Sequence, residues 1–261
     1  MQHSANRRSP SAPHNHIYKY RPTPAVHDFK TRCPYSHHHL STKSVPSASM
    51  EPAKWFPGIR DQGSEGACSG FSTAENREVL WGKVHQKMLD DRRSPSYLYG
   101  RTRIAEGTFP EDAGATLADE FAVLHSFGVC SEDDMPFDED PAEPIPNIAD
   151  VDAAAFRIEQ ACSVDMRDPE KAKKVLAAGF AISIGVAVYD SFESVKSDGL
   201  LPIPDPDKEN LLGGHAILLL GYDDNCKCYY GANSWGKSWG HNGFFWMPYN
   251  YEIEEGWTAV R

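Results

Sequence analysis

The stretch RDQGSEGACSGFS, residues 60–72, sets a cysteine among small and polar residues at the point where an apolar, helix-like pattern begins. Phe71, Ala74, Val79, Leu80 and Trp81 recur at near-helical spacing across 68–81, and the pattern continues toward Leu89 despite Gly82. Cys68 therefore falls at a predicted helix start, where unpaired backbone N–H groups and the macrodipole favour an anion. An isolated thiol has a pKa of ~8.5 and needs such help to be a thiolate at neutral pH. Gly63, Gly66 and Gly70 leave the approach to the sulfur open, and Gln62 places an amide six residues upstream. The competing reading is an ordinary buried cysteine at a helix start.

Working outward, a second helix is predicted at 117–127, opened by Thr116 as N-cap and closed by Gly128. The acidic, proline-containing run 131–146 reads as loop, and 169–178 as a third helix with Pro169 in its first turn. The period then changes. FAISIGVAV (180–188), HAILLLGYD (215–223), CYYGANSW (228–235) and NGFFWMP (242–248) read as strands separated by turn residues. Helices in the first half and strands in the second predict an α+β fold of two lobes meeting at a cleft.

Two further segments carry chemistry. In GGHAILLLGYD (213–223) a histidine stands at the leading edge of an apolar strand behind two glycines, a position predicted to be more exposed than the strand itself. It lies 147 residues from Cys68, so one lobe would supply the thiol and the other the imidazole. Such a base needs a partner that fixes its tautomer and ring plane. In GANSWGKSWGHNG (231–243) Asn233 offers an oxygen for the imidazole N–H, Trp235 can shield that bond from water, and Trp239 can add an aromatic wall. Each segment alone also fits a structural histidine or a turn flanked by core tryptophans.

Together, in this order, the three segments resemble the papain family of cysteine peptidases, and more closely its bacterial members. QGSEGACSGF resembles the nucleophile segment, GGHAILLLGY the histidine segment and NSWGKSWGHNGFF the asparagine segment; the likeness runs over roughly residues 55–250. The resemblance implies a two-lobe fold, one lobe mainly helical (65–145) and one a β-rich antiparallel barrel (150–261). It implies Cys68 as nucleophile, His215 as base, Asn233 as its orienting partner and Gln62 as oxyanion donor. GTFPEDAGATLADEFAVLHSFGVC (107–130) resembles the stretch passing the substrate-binding glycine, which places Gly114 beside a peptide backbone. Gly66, Gly213, Gly214, Ala216, Trp235 and Trp239 complete the expected substrate-binding surface. Ser69 replaces the usual Trp, Glu65 the usual Cys, and Gly213–Gly214 the Asp or Asn that often precedes the histidine. Glu252 or Glu254 is considered for an acidic pocket floor, against the commoner outcome of surface exposure.

Charge is unevenly distributed along the 261 residues, which total −11. Residues 1–50 hold seven Lys/Arg against one Asp/Glu, whereas 51–261 hold 19 against 36, so a +6 segment precedes a −17 body. The first stretch, with seven of the 11 histidines and six prolines, reads as a basic pro-segment or tail able to dock on the acidic body, and 51–261 as the catalytic domain. An acidic body argues against nucleic acid as a partner. No apolar run approaches the ~18–20 residues of a membrane span, no signal peptide is visible, and the compartment stays open. His37–His39 read as an incidental cluster, and Cys226 and Cys228 as structural thiols in a hairpin turn, so neither a metal nor a cofactor is expected. The expected partners are a peptide or protein substrate and the chain's own N-terminal segment lying in the cleft, with a monomer as the expected state. A silent papain-like peptide-binding module and a cysteine acyltransferase or ligase are the alternative functions.

Overall fold

In a computed structural model describing residues 18–22, 33–34 and 45–261, the cysteine of the opening stretch is the first residue of an 18-residue helix. In chain order, two short strands, β1 (Cys33–Pro34) and β2 (Ala48–Ser49), precede that helix, α1 (Cys68–His85). The helices α2 (Pro95–Glu106), α3 (Leu117–Ser126) and α4 (Asn147–Ala153) follow. The second half contains β3 (Gln160–Ser163), α5 (Pro169–Ala177), β4 (Ile182–Tyr189), α6 (Asp190–Glu193), β5 (Leu211–Asp223), β6 (Cys228–Ala232), β7 (Phe244–Pro248) and β8 (Glu255–Val260). His37–His39 lie outside the described residues.

The helical half obeys local rules. Thr116 caps α3 by accepting from the Asp119 N–H at 3.1 Å, and Gly128 follows in the left-handed conformation at φ 90°. Helix α2, which the periodicity did not reveal, has equally plain punctuation: Ser94 accepts from the Tyr97 N–H, Pro95 occupies the first turn and Gly107 ends it at φ 73°.

Helix α1 is buried around most of its circumference, including Glu75, Asn76 and Glu78, because it lies between the lobes. Polar side chains tie it to the β-lobe: Ser72 donates to the Ile217 carbonyl at 3.1 Å, and Asn76 donates to Ala181 O and accepts from Ala259 N. A purely apolar seam would leave the carbonyls and N–H groups at that sheet face unpaired.

The sheet runs β1-β3-β8-β4-β5-β6-β7, with β2 pairing beside β5; every pairing but β1–β3 is antiparallel. Ile182, Ile184, Val186 and Val188 on β4 pack with Ile217, Leu219, Tyr229, Phe245 and Met247 in the β-lobe core. The helical lobe has its own cluster around Leu98, Leu117, Phe121 and Leu124. The two regions flank a cleft at the N-terminus of α1 and the start of β5. Among the described residues no helix is long and apolar enough to cross a membrane.

Strand β5 departs from expectation by starting at Leu211, so Gly213 and Gly214 lie inside it, paired with Val188 and Ala187 on β4. His215, opposite Val186, is fully buried and not at an exposed leading edge. The aromatic side chains packed over it, described below, account for the difference.

Candidate active site

Cys68 opens α1 behind Ala67, an N-cap that offers no side-chain hydrogen bond to the first turn. The first backbone N–H groups are thereby left for whatever lies at the helix mouth, and the Cys68 sulfur faces those of Ser69, Ala216 and Tyr20. Burial pushes the thiol up to about 12, against these N–H groups, which act to lower it. Ala216 follows His215 on β5, so the strand that carries the imidazole also touches the sulfur.

His215 is fixed on several sides. Its Nε2 donates to Asn233 Oδ1 at 2.8 Å, and the same oxygen accepts the Ser234 N–H at 2.8 Å, which locks the amide orientation. Trp235 stacks on the imidazole at 4.6 Å between centroids and 30° between planes, while Phe192 meets it edge-on at 6.1 Å. Asn233 and Trp235 are both buried, so the His–Asn bond is kept from water, where it is stronger than in solvent. With Nε2 held by Asn233, Nδ1 is the ring nitrogen on the side away from that bond. Trp239 stands one layer behind, stacked on Phe192 at 5.3 Å and donating Nε1–H to the Phe192 carbonyl.

Gln62 bridges the lobes. Its backbone N–H donates to Ser234 O at 2.8 Å, its Oε1 accepts from Ser234 Oγ at 2.6 Å, and its Nε2 donates to Glu65 O at 2.9 Å. Gly236 N–H donates to Arg60 O alongside, so the nucleophile and asparagine segments pair across the cleft as a short antiparallel bridge. Glu65, five per cent exposed, is pushed up to about 7 by burial, with Arg103 opposing and Asp112, Asp138 and Asp140 adding to the rise.

Residues 18–22 run beside these groups. Tyr20 N–H donates to Gly214 O at 3.2 Å and Arg21 N–H to Ala115 O at 3.2 Å. A Cβ on Gly114, at φ 72°, would collide with the Lys19 carbonyl, and one on Gly213 would sit 2.5 Å from Tyr18 Cβ, so these glycines permit a backbone to pass close. Tyr18 stands edge-on to Trp235 at 5.7 Å. Four consecutive side chains end on carboxylates: Tyr18 on Glu193, Lys19 on Asp112, Tyr20 on Glu255 and Arg21 on Glu106.

Glu252 and Glu254 are exposed, and the acid at the Tyr20 pocket is Glu255, held by a 2.6 Å hydrogen bond from Trp257 Nε1–H. Of the acids at 252, 254 and 255 only Glu255 lies within β8, a strand start that the sequence pattern did not resolve. Asp112, Glu106 and Glu120 also escaped the sequence reading, since each becomes significant only through partners distant in the chain.

The model of the papain family cysteine proteases matches residues 47–259. An uncharacterized peptidase C1-like protein of Acanthamoeba polyphaga mimivirus is 31% identical over 207 residues, covering 75% of this chain and 65% of its own length. Cathepsin L of Sarcophaga peregrina is 28% identical over 213 residues, covering 76% of the chain and 57% of its own length. The chain thus spans somewhat under two thirds of these relatives. Among solved structures, xylellain, a cysteine protease from Xylella fastidiosa, superposes with a TM-score of 0.82 at 26% identity, covering 97% of this chain and 99% of that one. With the Cys–His–Asn geometry and the family match over most of its length, the chain belongs to the papain family of cysteine proteases.

Proposed function

We propose that the chain is a cysteine peptidase that hydrolyses peptide bonds through a covalent acyl-enzyme, with residues 18–22 acting as a built-in occluding segment. The observation that carries the chemistry is the buried His215 Nε2–Asn233 Oδ1 bond beneath Trp235, on the strand whose next N–H touches Cys68.

In this reading the Cys68 thiolate attacks the scissile carbonyl carbon, and the oxyanion is met by the Cys68 N–H and the Gln62 side-chain amide. His215 delivers its proton to the leaving amine as the C–N bond breaks. It then takes a proton from water, whose oxygen attacks the thioester and releases the acid and the thiolate. Asn233 moves no proton; it holds the ring plane. Gly66, Gly114, Gly213, Gly214 and Ala216 flank the path of the substrate backbone, with Trp235 at one end of it.

The occlusion reading rests on the burial of Tyr20 and of the Cys68 thiol beneath it. A segment with +6 charge also suits a cleft that meets Tyr18–Arg21 with four carboxylates. By the same chemistry, Glu255 would favour a substrate side chain that donates a hydrogen bond or carries positive charge in the Tyr20 pocket.

The test is stoichiometric labelling with an irreversible thiol-directed epoxide, mapping of the modified residue, and peptide hydrolysis by wild type and Cys68→Ala. Labelling at Cys68 together with loss of turnover in Cys68→Ala is expected. Turnover that survives Cys68→Ala would remove the assignment.

A further inference from the structure

We propose that the Asp112 carboxylate forms a cation-selecting subsite beside the Cys68 sulfur, taking a lysine or arginine side chain of the peptide substrate. This rests on the peptidase reading and adds to it the class of side chain selected.

Asp112 lies in the loop between α2 and α3, and body residues hold its carboxylate independently of the contact that Lys19 makes. Oδ1 accepts from the Tyr99 hydroxyl, and both carboxylate oxygens lie 3.2 Å from the Gly66 N–H. None of these partners belongs to residues 18–22, so the carboxylate is aimed whether or not that segment is seated. Preorganisation of this kind lowers the cost of binding a cation.

Lys19 shows the fit. Its Nζ donates to Asp112 Oδ2 at 2.7 Å and to the Asp112 main-chain oxygen at 2.5 Å, a two-point grip on one ammonium. A Cβ on Gly66 would stand 2.8 Å from Lys19 Cδ and 2.8 Å from Asp112 Oδ1, so the glycine leaves the channel along which the alkyl stem runs. Gly66 is two residues from Cys68, and Tyr20, the neighbour of Lys19, packs in one buried cluster with Cys68. The subsite thus opens directly beside the reacting bond.

The surrounding charge has the matching sign. Burial alone would raise the Asp112 pKa, yet hydrogen bonds from Lys19, Tyr99 and Gly66 hold it below the ordinary carboxylate range. Glu65 senses the charges of Asp112, Asp138 and Asp140. The nearby cation, Arg103, is directed elsewhere: Nη1 donates to Glu111 O at 2.9 Å, and the guanidinium lies 3.9 Å from the Tyr99 ring centre.

The test uses the full chain and a positional scan of paired peptides that carry lysine or the neutral isostere norleucine at each site around the cleaved bond. The ratio of kcat/KM within a pair is independent of how often the N-terminal segment vacates the cleft, since occlusion scales both members equally. At one position the wild-type ratio is expected to reach about tenfold or more, the scale of a charge-assisted hydrogen bond, and to fall toward unity in Asp112→Asn. A wild-type ratio near one at every position, or a lysine preference undiminished in Asp112→Asn, overturns the proposal, the first of these even if the variant does not fold; a preference that falls in Glu255→Gln but not in Asp112→Asn assigns it to the Tyr20 pocket and overturns the proposal as well. If neither peptide is cleaved, the peptidase reading fails separately. The same pairs are then compared as protectants of Cys68 against epoxide labelling: lysine peptides protecting at about tenfold lower concentration support the subsite, and equal protection overturns it.

Discussion

Ser69 Oγ donates a 2.9 Å hydrogen bond to Oε1 of Glu120, placing a fully buried carboxyl directly behind the residue that follows Cys68. The papain-like sequence pattern has tryptophan at position 69. Here a small hydroxyl and an acid from α3 fill the interior, with Thr102, Glu106 and Arg103 as further neighbours. Burial pushes Glu120 up to about 8, opposed by Ser69, Thr102 and Arg103 and reinforced by Glu106. Near neutral pH the carboxyl is therefore mostly protonated, and its charge repels a Cys68 thiolate only as pH rises.

The sign of the stability effect follows. A carboxyl with a raised folded-state pKa binds more protons folded than unfolded, so its stabilising contribution is complete below about 4.5 and is lost as pH rises through about 8. Glu75, also pushed to about 8, acts in the same direction. Thermal melts from pH 5 to 8 are expected to show falling Tm in wild type and a shallower fall in Glu120→Gln, which can still accept from Ser69. Parallel slopes for the two proteins would place the Glu120 titration elsewhere.

Gln62→Ala removes a proposed oxyanion donor and two hydrogen bonds that pin the nucleophile segment to Ser234 and Glu65. Loss of one such donor typically raises the barrier by ~3 kcal/mol, so kcat is expected to drop ~100-fold or more. Turnover within a factor of two of wild type would exclude Gln62 from the oxyanion site.

Asn233→Ala is expected to cost less than Cys68→Ala. Asparagine supplies only orientation, and the Trp235 stack and the Phe192 edge continue to restrain the imidazole after it is gone. A kcat/KM series on one peptide should show partial loss in Asn233→Ala and total loss in Cys68→Ala. Equal abolition in a folded Asn233→Ala protein would make the asparagine as indispensable as the thiol.

What could be read from sequence follows from how local each signal is. The helix starting at Cys68, the cap at Thr116 and the long apolar strand after His215 each declare themselves within a dozen residues, and the resemblance joins them into one fold. Helix α2 carries an N-cap, a first-turn proline and a terminating glycine, but buried Tyr97, Tyr99 and Arg103 blur the apolar stripe that periodicity seeks. Strands β1 and β2 are two residues long and show no period at all. Asp112 and Glu255 are ordinary acids in the sequence. Only the fold brings Asp112 to Gly66 and Tyr99, and only the register of β8 turns Glu255 toward Gly185 and Tyr20, where Trp257 holds it.

If residues 18–22 occlude the cleft, the reactivity of Cys68 should report on them in the full chain. Tyr20 is three per cent exposed, with its ring against Gly185 and its hydroxyl on Glu255, so Tyr20→Ala removes both cover and anchorage. Because burial is what raises the thiol pKa toward 12, uncovering the sulfur beside His215 should move the inflection of the labelling-rate profile to lower pH. Salt should act in the same direction: the Lys19–Asp112 and Arg21–Glu106 pairs are partly exposed, and exposed charges are screened with a Debye length of ~10 Å at 0.1 M. Epoxide labelling of wild type is expected to accelerate with added salt, whereas Tyr20→Ala should start faster and respond less. Identical, salt-independent labelling profiles for the two proteins would mean that the thiol is guarded by something other than this segment.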